Sequence, residues 1–302
     1  MRRRVAITGV GLVSCLGHDY EPVMVALREG RRGIRAVPEW EGKGLKSLVA
    51  GMIDDLDEKK DAAKLSKKLT PAMSDAALYC SLAARDAVAD SGLSPDELHS
   101  EGTGCIVGSG VGSVDSVKKA ADLYYAGRIR RADPYTVLRC MASSSSAAVA
   151  NLFKIRGRSY SLSSACATSA HNIGHAFELI RAGVLDCAIS CGGEDTAELV
   201  SAAFQGLRLA LSTRYNDTPT KASRPFDAHR DGFVISGGGG IVVLEDMDQA
   251  LARGARIRAE IIGYAANSDG FDLVLPEPEG AQAGACMRAA IEDAGIEAGA
   301  ID

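Results

Sequence analysis

Aromatic residues make up only 5% of this 302-residue chain, and tryptophan occurs once. A core short of large rings must be filled by close contact of small residues, and the 33 glycines suit that. No apolar run reaches ~18 residues, so no membrane-spanning helix is expected. Positive charge is not in excess: 34 Lys and Arg against 39 Asp and Glu leave a net charge of −5. The field of the whole chain therefore does not draw nucleic acid, and any basic patch must be local. None of the eight cysteines forms a CxxC, and Cys187 and Cys191 have no second pair to complete a zinc site. Cysteines scattered in this way suit a reducing compartment, most of them as small buried apolar residues. There is no Gly-X-Y period, and 46% apolar with 24% charged residues excludes a mainly disordered chain.

What is present alternates between strands and helices. Arg2-Arg3-Arg4 ahead of an apolar stretch resembles a short signal peptide, and Leu12-Val13-Ser14-Cys15 a lipoprotein cleavage box. Thr8, Gly9 and Gly11 dilute that stretch, so residues 5–8 are read as a first strand entering a glycine turn. Residues 20–29 read as a helix stopped by Gly30. Residues 54–61, nearly all charged, read as a solvated surface segment. Thr70-Pro71 predicts the start of a helix running to Ser91, ended by Gly92. Strands are expected at 104–108, 159–163, 187–191, 241–244 and 257–264, and helices at 116–126, 143–153, 168–182 and 281–294. Repeated βα units with buried strands mean an α/β fold.

Four segments could carry chemistry. Thr8-Gly9-Val10-Gly11-Leu12-Val13-Ser14 follows a strand, but a dinucleotide site needs a third Gly and a helix there. A strand-to-turn junction is the better reading. His171 and His175 have zincin spacing, yet Asn172 stands where the catalytic Glu would be and no third ligand is near, so helix packing is expected. In Ser161-Leu162-Ser163-Ser164-Ala165-Cys166-Ala167-Thr168 a strand ends in small residues, Cys follows, and a helix begins. A helix start favours a thiolate through its dipole and free N–H groups, and the same amides can serve an oxyanion. The layout parallels the nucleophile elbow of serine hydrolases. From the residues alone, a buried structural cysteine is an equal alternative. Arg224-Pro225-Phe226-Asp227-Ala228-His229-Arg230-Asp231-Gly232-Phe233 is either a surface loop or a loop beside a site, held by Arg–Asp pairs.

The Cys166 segment and the Arg224 cluster together resemble the β-ketoacyl-acyl-carrier-protein synthases of the thiolase superfamily. The resemblance runs along essentially the whole chain, including the opening at residues 5–16 and Leu211-Ser212-Thr213-Arg214-Tyr215-Asn216-Asp217. The wording is nearest the type I condensing enzymes of bacterial fatty-acid synthesis. It implies a thiolase-like α/β fold of two similar halves, each with a mixed five-stranded sheet, layered with helices. Residues 1–250 would be the first half and 251–302 the start of a second, incomplete half.

The implied reaction is a decarboxylating Claisen condensation of malonyl-acyl-carrier protein with an acyl group held as a thioester on Cys166, whose N–H would also be half of the oxyanion hole. No cofactor is implied beyond the phosphopantetheine carried by acyl carrier protein, and no metal. By the same resemblance Met141, Phe204 and Phe233 match acyl-pocket or gate positions, with Met141 reaching a partner subunit's pocket. Lys64, Lys67 and Lys68, with Arg128, Arg130 and Arg131, fall where the family docks its acidic carrier protein; ordinary solvated side chains are the competing reading. A cytosolic homodimer is implied, with neither nucleic acid nor membrane as partner.

The family also uses two His residues C-terminal to its Cys, and none of His18, His99, His171, His175 or His229 matches them. The expectation is a C-terminally truncated synthase that does not condense by itself. Alternatives are a polyketide-type ketosynthase, a biosynthetic thiolase, which ranks lower because its Cys context differs, or a noncatalytic partner subunit such as a chain-length factor. A Cys protease lacks a suitable base and orienter.

Overall fold

The computed structural model describes residues 2–54, 56, 65–196, 198–207 and 210–302. The central sheet is built from β1 (Val5–Val13), β4 (Thr103–Gly108), β5 (Ser159–Tyr160), β6 (Cys187–Glu194), β8 (Gly238–Asp246) and β9 (Ala259–Ile261), in the order β5-β4-β6-β8-β1-β9. β4 runs parallel to β5 and β6, while β6–β8, β8–β1 and β1–β9 are antiparallel. The sheet is thus mixed as expected but has six strands rather than five, because β9, from the residues beyond 250, adds to β1. A small second sheet joins β2 (Arg35–Ala36), β3 (Val49–Gly51) and β7 (Ile235–Ser236).

Alternation along the strands builds two cores. Cys105, Val107, Ile189, Ile241 and Val243 face helices α2 (Asp75–Ser91) and α6 (Ser144–Phe153). Val5, Ile106, Ala188 and Leu244 face α7 (Thr168–Arg181), through Ala176, Phe177 and Ile180. The result is helix–sheet–helix layering.

The deeply buried helix is α2, and small residues decide how closely it lies on the sheet. A Cβ on Gly9 would stand 2.1 Å from the Ala87 carbonyl oxygen, and one on Gly11 2.0 Å from that of Ala83. This corrects the strand-to-turn expectation: β1 continues, through a bulge between Ile7 and Gly9, to Val13. Its glycines remove side chains where a helix backbone presses on the strand. Thr70-Pro71 does not start α2 either. Residues 70–72 form a separate 3₁₀ turn, Met73 returns to extended backbone, and Ser74 caps the helix by accepting from the Ala77 N–H. Gly92, at φ 69°, ends it as expected.

Several strands differ in length from the periodicity, and β8 runs from Gly238 to Asp246 rather than over 241–244. Residues 161–163 leave the ladder after Tyr160, β9 keeps only three residues of 257–264, and β6 runs on through Gly192 and Gly193 to Glu194. The glycines of β6 pair with those of β8, Gly192 with Gly240 and Gly193 with Gly239, so two glycine runs form part of the ladder. Most of the charged segment 54–61 lies outside the described residues.

Among the described residues the remaining α-helices include α1 (Tyr20–Arg28), α3 (Pro95–Leu98), α4 (Val114–Tyr125), α5 (Thr136–Cys140), α8 (Glu198–Gly206), α9 (Met247–Ala252) and α10 (Ala281–Ala294). Residues beyond 250 are tied to the first strand and to helices α2 and α7 by ion pairs. Arg258 meets Asp90, Arg4 meets Glu260 at 2.6 Å, and Arg181, at the end of α7, meets Asp293 of α10 at 2.7 Å.

Candidate active site

Cys166 sits where the ends of β4, β5 and β6 meet the start of α7. The chain leaves β5, passes Ser164 and enters a three-residue 3₁₀ turn, Ala165–Ala167, that runs directly into the helix. Ala165 has φ 50°, a left-handed value that costs a residue with a Cβ on the order of 1 kcal/mol. The Thr168 hydroxyl accepts from the Ser164 N–H at 2.9 Å and closes the turn. Of the eight cysteines, Cys166 is classed as exposed, whereas Cys80, Cys105 and Cys187 are buried in the sheet layer. Burial pushes the thiols of Cys80 and Cys187 far up and that of Cys105 up to about 12. The buried alternative therefore does not describe Cys166.

Small residues and one amide hold the elbow. A Cβ on Gly108 would meet the Leu162 carbonyl oxygen at 2.5 Å, and one on Gly192 would meet that of Gly108 at 2.4 Å. Asn172, fully buried on α7, accepts from the Leu162 N–H at 3.0 Å and donates to the Cys191 carbonyl at 3.1 Å. It thereby links helix, β5 exit and β6. The sequence reading placed Asn172 only as the missing zincin Glu, and a buried amide on a helix start is the signal that it braces neighbouring strands. Its helix neighbour His175 shares a 2.7 Å hydrogen bond with the Tyr160 hydroxyl. No group of three or more His, Cys, Asp or Glu among the described residues is placed to hold a metal.

A cavity of about 520 Å³ opens beside Cys166. Val13, Val111, Val200, Phe204 and Ile235 give it apolar walls, and Gly108, Gly192 and Gly237–Gly240 leave its backbone walls bare. Phe204 belongs to this lining. Phe233 packs edge-on against Phe204, ring centroids 6.0 Å apart, with its own ring largely exposed. Met141 is elsewhere in this chain: it borders a separate 180 Å³ hollow with Leu69, Met73 and Leu138. Lys67, Lys68, Arg128, Arg130 and Arg131 are exposed; Lys64 lies outside the described residues.

The Arg224 cluster is a loop fixed by charge. Arg224 donates to Asp227 and to the Tyr215 hydroxyl, each at 2.8 Å. Asp231 accepts from the Ser212 hydroxyl and the Thr213 and Arg214 N–H groups at 2.6–2.9 Å. Its partial burial opposes ionisation, yet those three donors prevail and hold its carboxyl below the usual range. The loop thus carries Phe233 on a rigid base against Phe204.

Two acids that the sequence reading passed over also line the cavity. Glu194 accepts from the Ser109 hydroxyl at 2.6 Å and the Gly110 N–H at 2.7 Å. Asp195, only 3% exposed, accepts from the Ala76 N–H at the start of α2. Burial, with Asp75 nearby, raises its carboxyl to about 7. Two acids ending an apolar, glycine-rich strand were the available signal.

Comparison with known proteins gives this geometry its family. Residues 2–250 match the model of the β-ketoacyl synthase N-terminal domain, and residues 258–302 that of the C-terminal domain. The chain belongs to the β-ketoacyl synthase family. It is 47% identical over 292 residues to 3-oxoacyl-[acyl-carrier-protein] synthase 1 of Escherichia coli K12 and 45% identical over 290 residues to that of Haemophilus influenzae. Each alignment covers 96% of this chain and 70% of the relative. A β-ketoacyl synthase structure from Burkholderia phymatum superposes with a TM-score of 0.91 at 33% identity, covering all of this chain and 72% of that one. A ketosynthase/chain length factor, that of ishigamide, superposes at 0.88 with 30% identity and the same coverage. The thiolase-like α/β expectation therefore holds, and among family members the fatty-acid type is the better matched.

Proposed function

We propose that the chain is a β-ketoacyl-acyl-carrier-protein synthase of fatty-acid elongation whose acyl group is carried on Cys166. The observation that supports it above the others is an exposed cysteine on a strained elbow at a helix start, opening onto an apolar cavity of about 520 Å³. In the first half-reaction the Cys166 Sγ attacks the thioester carbonyl of an acyl-phosphopantetheine. The new C–S bond forms, the bond to the pantetheine sulfur breaks, and that sulfur leaves as a thiol once protonated. The Cys166 backbone N–H serves the oxyanion, helped by the α7 dipole. Phe204 and Val200 receive the acyl tail, and Phe233 stands at the gate. In the second half-reaction a malonyl thioester loses CO₂. The electron pair left on carbon attacks the Cys166 thioester, and the cysteine departs as the longer 3-oxoacyl thioester forms. Among the described residues lining the cavity there is no histidine, and the side chains of that lining serve the transfer step.

Acyl carrier protein is the donor in this reading. Exposed Lys67, Lys68, Arg128, Arg130 and Arg131, together with Lys64, form the basic surface that steers it. A second copy of the chain covers the α4–α5 face, where Tyr125 is 85% and Val137 70% exposed and Met141 stands nearby. Residues 1–250 act as the half that carries the nucleophile. Among the described residues no helix is long and apolar enough to cross a membrane, and a cytoplasmic setting is part of the proposal.

Incubation with acyl-acyl-carrier protein and intact-mass analysis tests the assignment. One acyl group per chain, mapped to Cys166 and absent from Cys166→Ala, is expected. An unmodified wild-type protein, or an acyl group on another residue, would overturn it.

A further inference from the structure

Cys166 does not hold its own elbow in place. The loop after β4 lies under it, and that loop is held by Glu194. One carboxylate oxygen accepts from the Ser109 hydroxyl and the other from the Gly110 N–H, at 2.6 and 2.7 Å. The Ser109 oxygen in turn accepts from the Gly112 N–H at 2.9 Å. From the elbow side, the Ser163 hydroxyl donates to the Ser109 carbonyl at 3.2 Å. Gly110 is pressed between the two ends of this chain: a Cβ there would be 3.0 Å from the Glu194 carboxylate and 3.2 Å from the Ala165 carbonyl oxygen. A bidentate carboxylate bond of this kind fixes direction as well as distance.

From this chain of contacts we infer that Glu194 is a positioning residue for acyl transfer, acting through Ser109, Gly110 and Ser163 on the strained Ala165–Cys166 turn. The inference rests on the reading of Cys166 as the acyl carrier. Glu194 lines the cavity beside Cys166, and both of its carboxylate oxygens are taken up by the loop after β4. Its loss frees Ser109 and Gly110, lets the strained turn relax, and moves the thiol and its N–H out of register with the thioester carbonyl. Misplacement by about 1 Å in such geometry costs on the order of a hundredfold in rate. Substrate docking, made on the outer surface, stays as it was.

The test is the single-turnover rate of Cys166 acylation against donor concentration. Glu194→Gln keeps the shape but can accept only one of the two bonds. It should lower the saturating rate at least tenfold and leave the half-saturating donor concentration unchanged. Ser109→Ala should give a smaller fall, and the double variant should be no slower than Glu194→Gln alone, because both act in one unit. A wild-type saturating rate in Glu194→Gln, an equal rise in half-saturation, or strictly multiplicative effects in the double variant would overturn the inference. Should Glu194→Gln not fold, Ser163→Ala and Ser109→Ala carry the same test from the other end of the chain of contacts. If the wild-type protein takes up no acyl group, the reading of Cys166 fails instead.

Discussion

Two helices begin beside the same cavity, and they begin differently. The start of α2 is closed by its own chain: Ser74 takes the Ala77 N–H, and Asp195 takes that of Ala76. The start of α7 has no side-chain cap at Ala167 and carries Cys166 on its 3₁₀ lead-in. A helix end leaves N–H groups without partners. At α2 protein acceptors fill them, and the end becomes a fixed wall. At α7 no side chain fills them: the Ala167 and Thr168 N–H groups turn back on the Ser164 and Ala165 carbonyls, and the Cys166 N–H beside them is the donor proposed for an oxyanion. Both helices need glycine beneath them, but for α2 the glycines seat the helix midsection on β1, whereas for α7 they crowd its first turn against strand ends.

If that contrast holds, damage at the two glycine seats should differ in kind. The largest effect belongs to Gly11→Val, whose branched side chain would enter the Ala83–Ala87 backbone of α2. A loss of more than about 4 kcal/mol is expected, because the helix must lift off the core. Urea denaturation, or failure to recover soluble protein, reads it. Gly108→Ala comes next. Its Cβ meets the Leu162 carbonyl, on the elbow rather than in the core. Here the expected destabilisation is about 1–3 kcal/mol, with Cys166 acylation falling a hundredfold or more. Equal ratios of stability lost to acylation lost at the two sites would erase the distinction between wall and working end.

Much of this was legible beforehand, and the limits have physical causes. Helix α10 was read as 281–294 and is Ala281–Ala294, because glycines bound it on both sides. The Cys166 elbow was legible because small residues between a strand and a helix serve few other purposes. The glycines of β1 read as a turn because local sequence shows their freedom and hides the helix pressing on them. Ser74 was overlooked in favour of Thr70-Pro71, since both obey the capping rules and only the extended Met73 separates them. Glu194, Asp195 and Asn172 act across 84, 119 and 10 residues of sequence, respectively. Their partners are chosen by strand order, which no local pattern contains. Met141 was matched to a pocket by resemblance, and within one chain it borders another hollow.

The smallest expected effect concerns the wall itself, and it depends on pH. The Asp195 carboxyl is raised to about 7 by burial and by Asp75, while in the unfolded chain it titrates near the ordinary value of ~3.9. Between those values the folded protein holds a proton that the unfolded chain has released. The stabilisation from this site is therefore complete below about pH 4 and is lost as pH rises through about 7, with a slope of at most ~1.4 kcal/mol per pH unit. Asp195→Asn keeps an oxygen to accept the Ala76 N–H and removes the titration. Its stability relative to wild type should improve steadily from pH 4 to pH 7 and level off above. Urea midpoints measured across that range decide the matter, and parallel curves for the two proteins would show that Asp195 stays ionised. Then the start of α2 would be closed by a full negative charge, and the contrast with the uncapped start of α7 would be one of charge as well as of occupancy.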